Sequence, residues 1–215
     1  YAGQIQCAGL GMDVQVWNDA GERIYQDKGE LVCASPFPSA PIGFWGDADG
    51  SKYHDAYFAQ FPNVWAHGDF AEQTAEGGFV IYGRSDAVLN PGGVRIGTAE
   101  IYRQVEQIPE VLESVCVGQR MGDDVRVVLF VVMQEGQILS QDIIANIKRS
   151  IRMGASPRHV PAVIKAVADI PKTRSGKISE IPVRKAIHGE AVNNTEGLSN
   201  PESLELYYGI LDEDA

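Results

Sequence analysis

Apolar and polar residues alternate in short runs through the first 85 residues, a spacing typical of half-buried β-strands. Turn-forming residues such as Asn18-Asp19-Ala20-Gly21 and Glu76-Gly77-Gly78 separate the runs. The predicted strands cover residues 4–10, 13–17, 29–33, 64–67 and 78–82. Pro36, Pro38 and Pro41 predict an irregular loop after the third strand. We therefore predict a small β-rich unit at residues 1–85.

The pattern changes to helical spacing after Gly83. Thr98 is a predicted helix cap, and Ser140 is a second one. The apolar faces of the two helices are Ile101, Val105 and Ile108 for the first, and Ile143, Ile144, Ile147 and Ile151 for the second. Strands are predicted at residues 115–117, 125–133 and 162–168, and a short helix at 181–187. This arrangement predicts an α+β unit at residues 87–188, followed by a polar, acidic tail at 189–215 with an amphipathic segment at 204–211.

The charge of the chain is unevenly distributed. The 215 residues carry a formal net charge of -11, yet the stretch from Lys148 to Lys185 holds ten basic residues against two acidic ones. An acidic protein is a poor partner for nucleic acid or an anionic membrane, because both require a basic surface. The longest apolar run, residues 127–133, is too short to span a bilayer. We expect a small phosphate-bearing ligand near the basic stretch, although a solvated basic face is the alternative.

Cysteine and histidine give no sign of cross-links or metal sites. Three cysteines are widely spaced and the four histidines lack ligand spacing, so we predict no disulfide, no structural metal and a cytoplasmic location. Asp47-Ala48-Asp49-Gly50-Ser51 is similar to a calcium loop, but its glycine comes too early and Phe58 occupies the twelfth position.

Three segments carry candidate chemistry. In Trp65-Ala66-His67-Gly68-Asp69, a glycine precedes an acid at a strand end, where a carboxylate can accept from two vicinal hydroxyls. In residues 83–96, Arg84 and Arg95 flank a glycine-rich turn that lets the backbone approach a phosphate or carboxylate ligand closely. The alternative for the first segment is an ordinary turn aspartate. The alternative for the second is a linker turn with surface arginines.

The third segment is the basic loop Pro171-Lys172-Thr173-Arg174-Ser175-Gly176-Lys177. An ammonium group on a mobile loop of small residues can enter a site, stabilise developing negative charge and leave again. Taken alone, the loop favours the alternative of a solvated basic surface.

In this order and at these spacings, the three segments resemble the adenylate-forming acyl-CoA synthetases. The wider sequence resembles the subgroup that activates acetoacetate. The segments that carry this closer resemblance are Ala2-Gly3-Gln4-Ile5-Gln6, Lys28-Gly29-Glu30-Leu31-Val32, Pro41-Ile42-Gly43-Phe44-Trp45-Gly46-Asp47 and Ser199-Asn200-Pro201-Glu202-Ser203-Leu204. The resemblance implies an ATP-dependent acid–thiol ligase that makes acetoacetyl-CoA from acetoacetate, ATP and CoA through an acyl-adenylate. A synthetase for another short acid, such as acetate or propionate, and a non-catalytic nucleotide- or CoA-binding module are the alternatives.

The resemblance also implies roles for the nucleotide-binding residues. Asp69 would bind the ribose hydroxyls, and Arg84 the ribose or phosphate. Arg95 would hold nucleotide phosphate or a domain interface, and Asp86 would be the hinge. Mg²⁺ would accompany the ATP.

The remaining implied roles concern catalysis and CoA. Lys177 would be the catalytic lysine of adenylation, and its acylation would remove the charge that this step needs. Gly93 would line the pantetheine passage, and Lys148 would contact the CoA phosphates.

The family's Ser/Thr/Gly-rich phosphate loop has no counterpart in these residues, so we expect the chain to be a fragment that is inactive in adenylation by itself. Residues 1–85 would then close a large N-terminal domain, with apolar edges that favour self-association. Residues 87–188 would form the mobile C-terminal domain.

Overall fold

The computed structural model describes residues 1–212. The chain forms two compact units, one at residues 1–86 and the other from Ala87 onwards. Both combine sheets with helices, and the predicted α+β fold class is confirmed.

The first unit contains one antiparallel sheet of four strands in the order β1-β2-β3-β4. The strands are β1 (Val14–Trp17), β2 (Lys28–Cys33), β3 (Trp65–Gln73) and β4 (Phe79–Arg84), and the one helix is α1 (Ser51–Tyr57). The prediction of a strand at residues 4–10 was wrong. Only Ile5 of this stretch pairs, with Phe79, because glycines at positive φ (Gly3 at +78° and Gly11 at +76°) turn the backbone on either side.

Helix α1 has no counterpart among the predicted elements. Asp47 stabilises the N-terminus of this helix, since its carboxylate accepts from the amides of Lys52 and Tyr53 at 3.1 and 2.9 Å. Asp49 accepts from the Ser51 amide at 3.1 Å. The acidic stretch that is similar to a calcium loop therefore supplies the acceptors that a helix N-terminus needs.

The second unit contains a three-stranded sheet of β5 (Val111–Met121), β6 (Asp124–Met133) and β7 (Val163–Ala166). Strand β6 lies at the centre, antiparallel to β5 and parallel to β7. The helices are α2 (Thr98–Val105), α3 (Gln141–Gly154) and α4 (Glu180–Ile187). Short 3₁₀ turns lie at Ser85–Ala87, Pro91–Gly93, Pro157–His159, Thr195–Gly197 and Pro201–Leu206.

The central strand β6 is covered on both faces, which explains why its residues form a continuous apolar run. Val127, Leu129 and Val131 pack with α2 and α3, whereas Val128 and Phe130 pack on the other face with α4. Four side chains from beyond residue 188 complete this second face: Leu198, Leu204, Tyr207 and Leu211.

The two predicted helix caps have different outcomes. Ser140 caps α3, because its hydroxyl accepts from the Ile143 amide at 3.3 Å. Thr98 is instead the first helical residue of α2, and Gly97 occupies the cap position. The Glu100 carboxylate accepts from the Gly97 amide at 3.3 Å, which is the half of a capping box that the third helical residue supplies.

Candidate functional site

Asp69 and Arg84 face each other across neighbouring strands of the first unit. They are register partners in the β3–β4 pair, and a guanidinium nitrogen of Arg84 lies 3.6 Å from Asp69 Oδ1. The same guanidinium lies 3.6 Å from Asp86 Oδ1. The structure thus brings together three predicted residues, with the arginine between two carboxylates.

The segment that precedes Asp69 places this arginine. Arg84 donates to the His67 carbonyl at 3.3 Å, and His67 Nε2 lies 3.4 Å from Asp69 Oδ2. Gly68 has a φ of +80°, and a Cβ at this position would lie 2.6 Å from Arg84 Nη2. The backbone conformation therefore favours glycine here, and a Cβ would displace the guanidinium beside it.

Glu30 belongs to this cluster, although its role was not predicted from the sequence. Its side chain is buried on β2, and its carboxylate accepts from the Gly68 amide at 2.7 Å. Burial raises the pKa of Glu30, and the hydrogen bond from Gly68 opposes that rise. The available signal was a charged residue within an otherwise apolar strand, an arrangement that needs a buried partner.

Lys177 lies on a tight hairpin of the second unit. Lys172 pairs with Ile178, and the Thr173 amide donates to the Lys177 carbonyl at 2.8 Å. Gly176 makes the turn at a φ of +82°. The Lys177 amide donates to the Thr173 hydroxyl at 3.1 Å, and the Lys177 side chain is exposed.

Both ends of the hairpin are attached to the sheet and helices. At one end, the Lys172 ammonium lies 2.7 Å from the Glu113 carboxylate of β5. At the other, Glu180 at the start of α4 accepts from the Tyr102 hydroxyl at 2.6 Å. This hydroxyl also accepts from the Cys116 amide at 3.0 Å, and burial raises the pKa of Tyr102.

The other predicted residues of the second unit lie on separate segments. Gly93 and Arg95 are exposed in and after the Pro91–Gly93 turn, whereas Lys148 is half-buried on α3. Gly93 has a φ of +77°, and a Cβ there would meet open space. The Asp124 carboxylate accepts from the Gly92 amide at 2.8 Å, which fixes the turn beside the start of β6.

A cavity of about 260 Å³ lies within the second unit, beside β5 and α4. On its polar wall, His188 Nε2 accepts from the Arg120 amide at 2.9 Å. The other ring nitrogen, Nδ1, lies 2.6 Å from the Arg184 carbonyl. The imidazole tautomer with its hydrogen on Nδ1 satisfies both contacts. The Arg120 guanidinium pairs with the Glu190 carboxylate, and this hydrogen bond lowers the pKa of Glu190. These contacts hold the end of α4 against β5.

Within residues 1–212, no helix is sufficiently long and apolar to cross a bilayer. No group of three or more histidine, cysteine, aspartate or glutamate side chains in the same range is arranged to hold a metal ion.

Known proteins are similar to this chain over part or nearly all of its length. Residues 101–177 match the model of the AMP-binding enzyme C-terminal domain. An acetoacetyl-coenzyme A synthetase of Rhizobium meliloti is 60% identical over 98% of this chain, and an acetoacetyl-CoA synthetase of Xenopus tropicalis is 49% identical over 98%. In each case the chain covers 32% of the relative's length.

The structural comparison agrees with the sequence comparison. The acetoacetyl-CoA synthetase of Streptomyces lividans matches 99% of this chain with a TM-score of 0.92 and 40% sequence identity, and the chain covers 32% of that protein. The resemblance predicted from the sequence motifs is thus confirmed. Residues 101–177 are thus similar to the AMP-binding enzyme C-terminal domain, and the chain is similar, over nearly its whole length, to the C-terminal region of acetoacetyl-CoA synthetases.

Proposed function

We propose that this chain acts as the C-terminal region of an AMP-forming ligase that makes acetoacetyl-CoA from acetoacetate, ATP and CoA. The observation that carries the proposal is the 60% identity to the Rhizobium meliloti synthetase over 98% of the chain. The chain spans about a third of the length of its curated relatives, so the reaction is assigned to the native gene product that contains it.

The reaction has two balanced steps. In adenylation, a carboxylate oxygen of acetoacetate attacks the α-phosphorus of ATP, and the bond to pyrophosphate breaks. In thioester formation, the CoA sulfur attacks the acyl carbon of the adenylate, the thiol loses its proton and AMP leaves. Mg²⁺ enters as part of the nucleotide substrate, where it balances phosphate charge.

Lys177 is the proposed catalytic residue of adenylation. Negative charge develops at the α-phosphate, and a positioned ammonium stabilises it most effectively where water is excluded. The exposed side chain on a short hairpin supports this role, because such a group can reach a nucleotide bound elsewhere in the protein.

Asp69 and Arg84 are the proposed nucleotide contacts. Asp69 is an ionisable acceptor with a partly exposed side chain, and it would accept from the two ribose hydroxyls. Arg84 would turn its guanidinium to the ribose or phosphate while the Asp69 and Asp86 carboxylates hold it from either side.

The remaining roles are also proposals. Asp86 is the last residue of the first compact unit, a position that suits a hinge between the unit ending the N-terminal domain and a mobile C-terminal domain. Gly93 would line the pantetheine passage, Arg95 would contact nucleotide phosphate or the domain interface, and Lys148 would contact the CoA phosphates.

The location and partners are proposed on other grounds. Three cysteines without a disulfide, Cys7, Cys33 and Cys116, favour a cytoplasmic location. The near-complete exposure of Ile42 and Trp45 supports self-association of the first unit when it is separated from the rest of the enzyme.

A substrate panel on the native gene product tests this function. Acetoacetate should support ATP–pyrophosphate exchange at a rate at least about tenfold above acetate or propionate, since one or two missing groups in an acyl pocket cost that much or more. A higher rate with acetate or propionate would assign another short acid. Binding of ATP or CoA without exchange or thioester formation would instead indicate a binding module.

A further inference from the structure

The Lys177 hairpin is attached to a segment that lies outside the matched family domain. That domain ends at residue 177, whereas the segment consists of residues 197–211 and follows α4. We call it the C-terminal strap. Its first residues pair with the hairpin's entering strand, since Thr173 forms a bridge with Leu198.

Asn200 makes the central contacts of the strap. Its side-chain oxygen accepts from the Lys172 amide at 2.8 Å. Its side-chain nitrogen donates to Asp169 Oδ2 at 2.7 Å and to the Ile170 carbonyl at 2.9 Å. One half-buried side chain therefore fixes three residues that lead directly into the hairpin.

Backbone hydrogen bonds extend this attachment through the strap residues that precede Asn200. The Ser199 amide donates to the Lys172 carbonyl at 2.8 Å, and the Arg174 amide donates to the Gly197 carbonyl at 3.2 Å. The strap thus pairs with residues 172–174 through one antiparallel bridge and the hydrogen bonds that flank it. It provides partners for backbone groups that a free loop would leave to water.

The other end of the strap is anchored in the core. Leu204, Tyr207 and Leu211 are buried against the sheet, and the Tyr207 ring meets Phe130 edge-on at 5.0 Å. The Tyr207 hydroxyl donates to the Asp169 carbonyl at 2.9 Å. The strap therefore connects the buried core of the second unit to the base of an exposed hairpin.

We infer that Asn200 is a positioning residue for Lys177, and that the strap holds the hairpin ready for adenylation. The inference rests on the proposed role of Lys177. It follows from geometry, because an exposed seven-residue loop would otherwise sample many conformations, and a displacement of about 1 Å in a reacting group can cost about a hundredfold in rate.

Asn200→Ala in the native gene product tests the inference. Hydrogen exchange of the amides of Thr173 and Lys177 should become about tenfold faster, because the hairpin opens more easily when the hydrogen bonds of the Asn200 side chain are lost. Acetoacetate-dependent pyrophosphate exchange should fall about tenfold or more. Thioester formation from supplied acetoacetyl-adenylate should stay unchanged, which separates a positioning defect from unfolding.

A reciprocal exchange provides the rescue. Asn200→Asp alone places two carboxylates together and should impair adenylation. Combining it with Asp169→Asn restores the side-chain pair with reversed polarity and keeps an acceptor for the Lys172 amide, but it leaves the Ile170 carbonyl without its donor, so adenylation should recover in part relative to Asn200→Asp. Asn193→Ala, at an exposed asparagine before the strap, is the matched control and should behave as the parent.

The outcomes distinguish the inference from the proposed function. A parent protein without acetoacetate-dependent pyrophosphate exchange refutes the proposed function. In that case the comparison of amide hydrogen exchange still tests whether Asn200 holds the hairpin. An active parent whose Asn200→Ala variant keeps its adenylation rate refutes the inference. Equal loss of adenylation and thioester formation, or failure of the double variant to recover, also refutes it.

Discussion

Replacing Gly68 with alanine perturbs the first unit at the point where backbone and guanidinium meet. The backbone φ of +80° costs a residue with a Cβ about 1–2 kcal/mol, partly offset by about 0.4–1 kcal/mol from a less flexible unfolded chain. The Cβ would also lie 2.6 Å from Arg84 Nη2, so the guanidinium must move. Because a flexible, half-exposed side chain yields easily, this movement should add only about 0.2–1 kcal/mol to the loss of stability.

Gly77 provides a matched control in the β3–β4 turn. Its φ is +85°, and a Cβ there would meet no atom within 4 Å. Gly77→Ala therefore carries the same backbone cost without the displacement of Arg84. Urea denaturation should show a loss of about 1 kcal/mol for Gly77→Ala, and of about 1–2 kcal/mol for Gly68→Ala.

Nucleotide binding should separate the two variants more sharply. If Arg84 contributes one charge-assisted hydrogen bond of about 1.5 kcal/mol to ATP, its displacement in Gly68→Ala should weaken binding by about tenfold. Isothermal titration of the native gene product with ATP measures this, and Gly77→Ala should bind like the parent. Equal ATP affinity in Gly68→Ala and the parent would refute the role of the Gly68–Arg84 contact.

Three further changes test the packing of both units by urea denaturation. Glu30→Gln should be more stable than the parent near neutral pH, because burial raises the pKa of Glu30 above 4.5 and ionisation costs the folded state free energy as pH rises through that range. The gain should vanish at about pH 4, and an equal gain there and at neutral pH would contradict the account. Tyr207→Phe should lose about 1 kcal/mol, because the Asp169 carbonyl loses its donor; no loss would show that this hydrogen bond is unimportant. Ser140→Ala should lose about 1 kcal/mol with its cap, whereas Ser140→Asp should keep most of the stability.

Local sequence patterns correctly predicted those elements that have a regular apolar face or a side-chain cap. The isoleucines of α3 mark one helical face, and Ser140 marks its beginning, so both were correctly predicted. Helix α1 carried no such pattern, since none of its residues is buried and its cap position is a glycine. Its N-terminus depends on hydrogen bonds from the helix amides to Asp47, which lies before the helix in the chain. The periodicity of apolar residues gives no sign of such bonds.

The residues of the candidate site also fall into two groups, those that the sequence indicated and those that only the structure revealed. Asp69 and Lys177 stand in recognisable motifs, so the sequence indicated them directly. Glu30 and Asn200 act through partners that lie 38 and 28 residues away in the chain, Gly68 and Lys172. Such contacts exist only once the strands are paired, and no spacing within one segment reveals them.

We propose that Lys177 serves adenylation and not thioester formation. Comparing both half-reactions in Lys177→Ala and the parent, in the native gene product with acetoacetate, tests this role. Pyrophosphate exchange should fall by about a hundredfold or more, since a positioned charge of this kind contributes that much to a transition state. Thioester formation from supplied acetoacetyl-adenylate should continue at the parental rate. An equal fall in both half-reactions, or an unchanged exchange rate, would contradict the claim.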